Sequence, residues 1–130
     1  MRAWMLALAL ALALAPVCGT AHPAVPEIPR FRMLGPADGL HNTTIPALGR
    51  DREGFLWVAN WDGLARYDGV GFRTWRHDPD DASSLPGNIV QALHIDAQDR
   101  IWVATEGGGL SMLDTRREGF RHFRKSTHPQ

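Results

Sequence analysis

Cysteine is almost absent from this 130-residue sequence: the single one, Cys18, lies in an apolar leader, so the rest can form no intramolecular disulfide. A surplus of charge is absent too. Lysine and arginine together number 14, as do aspartate and glutamate, and losing Arg2 with the leader leaves the acids one ahead. Such a balance offers no electrostatic reason to expect a nucleic-acid partner. Beyond Ala21 there is no long apolar run, which argues against a transmembrane helix there. Helical periodicity is missing as well, because glycine- and aspartate-containing turns come too often for helices of ten or more residues. The chain is nonetheless not of disordered type, with 44% hydrophobic and 22% charged residues.

What is present begins with MRAWMLALALALALAPVCGTA, residues 1–21. Arg2, an unbroken apolar stretch from Trp4 to Ala15, the breaker Pro16 and small residues make the three parts of a signal peptide. Gly19 and Ala21 occupy the −3 and −1 positions of a cut after Ala21. The apolar stretch falls short of the roughly twenty residues a membrane span needs. The chain is therefore expected to be exported. Bulky Val17 makes Cys18 a poor lipid-attachment site. A linker is expected over 22–30.

The rest repeats itself. LHNTTIPALGRDREGFLWVANWDG (Leu40 to Gly63) aligns with LPGNIVQALHIDAQDRIWVATEGG (Leu85 to Gly108) at a constant offset of 45. Asp51 meets Asp96, and Trp57 meets Trp102. After one inserted glycine, Gly63-Leu64 meets Gly109-Leu110 and Asp68 meets Asp114. Each unit divides at its turns into four short segments: IPALGRD, FLWVAN, LARYD and FRTWRH, then VQALHID, RIWVATE, GLSMLD and FRHFRK. FLWVA and IWVA are continuously apolar, as in strands covered on both faces. Four antiparallel strands at a period near 45 predict an all-β chain of β-propeller blades. The expected limits are an N-terminal strand of ring-closing type with its loop over 31–44, blade 1 over 45–77, and an inter-blade loop over 78–88. Blade 2 occupies 89–125, and 126–130 begins the next loop.

Asp51-x-x-Gly54, Trp57, Gly63-Leu64 and Tyr67-Asp68, with Asp96, Trp102, Leu110 and Asp114 in the second unit, resemble the two-component regulator propeller repeat. The second unit departs from it: Asp99 replaces the turn glycine, Leu113 the tyrosine, and Gly107-Gly108-Gly109 adds a residue. The resemblance implies the periplasmic sensor region of a bacterial hybrid histidine kinase or diguanylate cyclase, at the periplasmic face of the inner membrane. The output domain, the membrane contact through a downstream segment and any dimerisation would belong to the full-length receptor. Two blades do not close a ring, and a seven-bladed one needs about 315 residues at this period. The chain is accordingly expected to be the N-terminal part of a longer one.

No catalytic residue, metal site or cofactor is expected from the residues present. The six histidines include no His-x-x-x-His pair, and no Gly-x-Ser-x-Gly elbow occurs. Asp78-Pro79-Asp80-Asp81 lacks the glycine and distal glutamate of a calcium loop. Gly107 to Gly109 lacks the Lys-Ser/Thr of a phosphate cradle. Asn42-Thr43-Thr44 is a glycosylation sequon without weight in a bacterial setting. Trp61 does not recur, and a turn tryptophan among polar residues is suited to stacking on a small-molecule or saccharide ligand. The expected ligand-binding set is Asn60, Trp61, Asp62, Arg66, Thr105 and Glu106. The favoured reading is a ligand-sensing propeller of a signal-transduction receptor. The alternatives are a secreted, self-assembling lectin-like module and an exported propeller enzyme, for which no motif speaks.

Overall fold

The computed structural model describes residues 28–124. The leader and its cleavage site lie outside the described residues. After one 3₁₀ turn at Pro36–Asp38, the chain forms eight strands: β1 (Ala47–Arg50), β2 (Leu56–Asn60), β3 (Gly63–Tyr67), β4 (Phe72–Trp75), β5 (Val90–Ile95), β6 (Ile101–Thr105), β7 (Gly109–Leu113) and β8 (Phe120–Phe123). They make two four-stranded antiparallel meanders, β1-β2-β3-β4 and β5-β6-β7-β8. These are propeller blades.

The repeated aspartate and tryptophan prove to be partners. Trp57 Nε1–H donates to Asp51 Oδ2 at 2.8 Å, and Trp102 Nε1–H donates to Asp96 Oδ2 at 2.7 Å. The other carboxylate oxygen closes the turn between the first two strands of each blade. Asp51 Oδ1 accepts from the Phe55 amide at 2.9 Å, and Asp96 Oδ1 accepts from the Arg100 amide at 3.0 Å. One residue thus caps a turn and anchors the indole, which satisfies an N–H that burial would otherwise orphan. Gly54 takes φ 92° in the first of these turns, and Asp99 takes φ 62° in the second.

The two blades pack face to face. Trp57, Ala59 and Leu64 of blade 1 meet Val90, Ile101, Val103, Leu113 and Phe120 of blade 2, with Leu85 from the connection among them. Trp57 is 0% exposed and stacks on Trp75 with ring centroids 5.1 Å apart. Arg117 of blade 2 also lies over the Trp57 ring, guanidinium carbon 5.0 Å from the ring centroid. Its Nη2 donates to Asp99 Oδ2 at 3.0 Å, and Asp99 Oδ1 accepts from the Arg52 amide of blade 1 at 3.0 Å. The Arg52 guanidinium also reaches the Ala97 carbonyl. The opposite face of blade 1, Val58 and Ala65, is covered by Leu40.

Two sequence expectations change. Segment 31–34, expected as a ring-closing strand, pairs with no strand among the described residues, and the Phe31 and Met33 side chains are exposed. Asp38 and Gly39, a few residues later, do belong to blade 1, since Gly39 approaches Phe72 and Gly71 approaches the Asp38 carbonyl. The second change concerns strand coverage. β2 is buried on both faces, whereas β6 alternates, with Trp102 and Ala104 only half-buried on the side away from blade 1.

Acid should loosen this arrangement in a residue-specific way. Burial opposes ionisation of Asp96, but hydrogen bonds from Trp102, Arg100 and Gln98 outweigh it and hold the carboxyl well below the ordinary carboxylate range. Its ionised form therefore contributes stability that is fully present above the unfolded value of about 3.9 and is lost as pH falls through the lower folded value. Urea midpoints of the chain should decline as the pH drops from about 5 to 2, and less steeply for Asp96→Asn. Parallel declines for both proteins would show that Asp96 is not the group being titrated.

Candidate functional site

The meander order places the β2–β3 turn, the β6–β7 turn and the long β4–β5 connection at one end of the blades. Trp61 and Asp62 form the first of these turns. Asn60 Oδ1 accepts from the Asp62 amide at 2.7 Å, so this buried side chain shapes the turn from beneath and is not free to meet a ligand. Asp62 Oδ2 accepts from Arg76 Nε at 3.0 Å and Nη2 at 2.5 Å. That charged hydrogen bond holds the Asp62 carboxyl below its ordinary range and raises Arg76. The pair is largely solvated and contributes at most about 1 kcal/mol. Its consequence is positional, because it ties the turn to the start of the β4–β5 connection. Trp61 beside it is 51% exposed.

Thr105 and Glu106 stand in blade 2 where Asn60 and Trp61 stand in blade 1. Glu106 is exposed, and its backbone N–H donates to the Ile89 carbonyl at 2.9 Å. Thr105 is buried, and its hydroxyl lies against Gly108 without a hydrogen-bond partner. Arg66 does not join the group. It pairs with Trp57 near the other end of β3, its guanidinium carbon 4.5 Å from the Phe55 ring centroid. The six expected residues are therefore not all at one surface: Arg66 lies toward the other end of β3, Asn60 and Thr105 are buried, and Trp61, Asp62 and Glu106 stand in the β2–β3 and β6–β7 turns at one end of the blades. Strand ends recur at both ends of a meander, and proximity along the chain did not say which end Arg66 occupies.

Sequence reading missed Arg76, which orders Asp62 from fourteen residues away. It also missed a buried pair in blade 2, where Ser111 Oγ lies 2.8 Å from His122 Nδ1. The Ser111 side chain is fully buried and the far nitrogen of His122 faces the Ala82 carbonyl at 3.1 Å. A nucleophilic serine needs a reachable hydroxyl, so this contact is architectural. Among the described residues, no three His, Cys, Asp or Glu side chains are placed to hold a metal ion. No helix among them is long and apolar enough to cross a membrane.

Comparison with known proteins points the same way. The family model described as two component regulator propeller matches residues 84–107, which carry β5, β6 and the turn after it. A histidine kinase, P4 of Formosa agariphila, is 36% identical over 55 residues, covering 42% of this chain and 4% of that protein. The extracellular domain of a putative hybrid two-component system from B. thetaiotaomicron has a similar structure, with a TM-score of 0.67 and 28% identity over 74% of this chain and 14% of that one. The chain therefore spans a small part of either relative's length.

Proposed function

We propose, on the premise that this chain carries repeats of the two-component regulator propeller family, that it supplies blades to an extracytoplasmic sensor propeller whose ligand meets the Trp61 end. The supporting observation is the likeness to the extracellular domain of a hybrid two-component system. Sensing then divides between segments. The blades hold the ligand outside the cytoplasm, and a histidine kinase or diguanylate cyclase elsewhere in the full-length receptor produces the output. Export rests on the leader, and the bound molecule is a saccharide or a similar small polar compound. Trp61 offers an apolar ring face, while Asp62, Arg76 and Glu106 offer acceptors and donors for hydroxyl groups.

The test uses the full-length receptor in cells with a reporter of its output and a panel of oligosaccharides. One member should change the output in a saturable way. Trp61→Ala should raise the half-maximal concentration at least tenfold while costing less than about 1.5 kcal/mol of stability, as expected for a half-exposed ring. An unaltered response in Trp61→Ala would remove the site, and silence towards the whole panel would remove the saccharide.

A further inference from the structure

Beside the Trp61 turn, the β4–β5 connection lies against β8 and lines an open pocket of about 470 Å³. That is within the usual range for small-molecule sites, roughly 300–1,000 Å³. None of Asn60, Trp61, Asp62, Thr105 and Glu106 lines it.

One wall is the loop carrying Asp78 and Asp81, and the loop is fixed by its own hydrogen bonds. The Ser84 hydroxyl accepts from the Asp78 amide and donates to the Asp78 carbonyl, both at 2.9 Å. Asp81 Oδ1 accepts from the Ser83 amide at 2.8 Å and the Ser83 hydroxyl at 2.7 Å, which holds its carboxyl ionised below the ordinary range. Asp78 Oδ1 accepts from the Asp80 amide at 3.0 Å. Each carboxylate uses only one oxygen in this way among the described residues, and the other stays open.

His122 of β8 and Arg124 just after it also line the pocket. His122 is committed at both nitrogens: Nε2–H donates to the Ala82 carbonyl of the loop, and Nδ1 accepts from the Ser111 hydroxyl. These partners fix its tautomer and tie the loop to β8. The arrangement is peculiar to blade 2. The strand register pairs Ser111 with His122 where blade 1 pairs Ala65 with Thr74, so the repeat itself does not require it. Arg124 makes no salt bridge among the described residues. Pro79, Leu85 and Pro86 give the lining an apolar strip.

Two carboxylates and one guanidinium thus share a lining with an apolar strip and two histidines, His77 and His122. A simple anion would meet Asp78 and Asp81, and a simple cation would meet Arg124. A molecule charged at both ends can meet groups of both signs in this lining. We propose that this cavity binds a small zwitterion of the amino-acid or dipeptide class. Its ammonium lies at Asp78 and Asp81, its carboxylate at Arg124 and its side chain on Leu85 and the two prolines. His122 is a positioning residue.

Equilibrium dialysis of the full chain against labelled glycyl-leucine tests this, with leucinamide, 4-methylpentanoate and maltose as competitors. Glycyl-leucine should bind saturably, one per chain. Leucinamide and 4-methylpentanoate should each compete at least tenfold more weakly, since each lacks one charge. Arg124→Gln, at an exposed strand end, should weaken glycyl-leucine about tenfold and leave leucinamide unchanged, which a merely structural role would not do. His122→Thr installs the residue blade 1 already tolerates at this position; it should keep the sheet by circular dichroism and weaken both ligands. Absence of saturable uptake up to about 10 mM would overturn the proposal. So would equal competition by the singly charged analogues, or tighter binding of maltose.

Discussion

Replacing Trp57 with alanine should cost about 3–5 kcal/mol, the range for deleting a large buried aromatic ring. Trp57 is fully buried, and its removal takes the stacking partner from Trp75 and the ring from beneath Arg117. It also strips Asp51 Oδ2 of its donor in a buried position, which adds to the loss. Urea unfolding followed by circular dichroism would measure it. Trp102→Ala removes the same indole from the same hydrogen bond, but from a half-buried site. Its cost should be about half as large, since cost scales with the area returned to water. Equal losses at the two positions would show that blade 2 is covered on its outer side in solution.

Gly63→Ala should be nearly as damaging, at about 2–4 kcal/mol. Gly63 adopts φ 127°, a region side chains avoid, and a Cβ there would overlap the Trp75 carbonyl oxygen on the neighbouring strand. Backbone cannot swing aside as a side chain can, so β4 would have to move and the Trp57–Trp75 stack with it. Gly69→Ala is the matched control. Its φ is 98°, but an added Cβ meets nothing within 4 Å, so only the conformational cost of about 1–2 kcal/mol remains. Thermal melts of the two variants side by side would separate crowding from backbone strain. A milder effect at Gly63 than at Gly69 would contradict the close approach of β3 and β4.

The strands and turns were legible because their signals are local. Asp51 through Gly54 is a turn by its residue types, and the apolar runs on either side of such turns have strand length. The repeat supplied the rest, since two copies of one pattern identify a blade better than either alone. What lay hidden is non-local or directional. Asp51 and Trp57 were visible as repeated residues, yet nothing in their spacing says that a turn and the pleat bring carboxylate and indole to 2.8 Å. Arg117 showed no signal, because its partners Asp99 and Trp57 are distant in sequence and on different blades. For the ligand surface, the turn of Trp61 and Asp62 was readable, but Arg76 and the separation of Arg66 depend on which end of the meander each strand presents. The cavity beside His122 needs a loop and a strand from different parts of the second unit's neighbourhood, so no sequence window contains it.

Asp99 has an implication for assembly order. It accepts the φ of 62° that glycine would take more cheaply, and in exchange joins Arg52 of one blade to Arg117 of the next. Proteins built from near-copies face a sorting problem, because every sheet presents a similar apolar face and any could dock on any other. At the one junction among the described residues this trio favours the correct neighbour, since another blade would leave Asp99 without the Arg52 amide and the Ala97 carbonyl without the Arg52 guanidinium. The deviation from the repeat at this position thus acts as an address, written in hydrogen bonds, on an interface whose apolar contacts resemble those of any other blade pair.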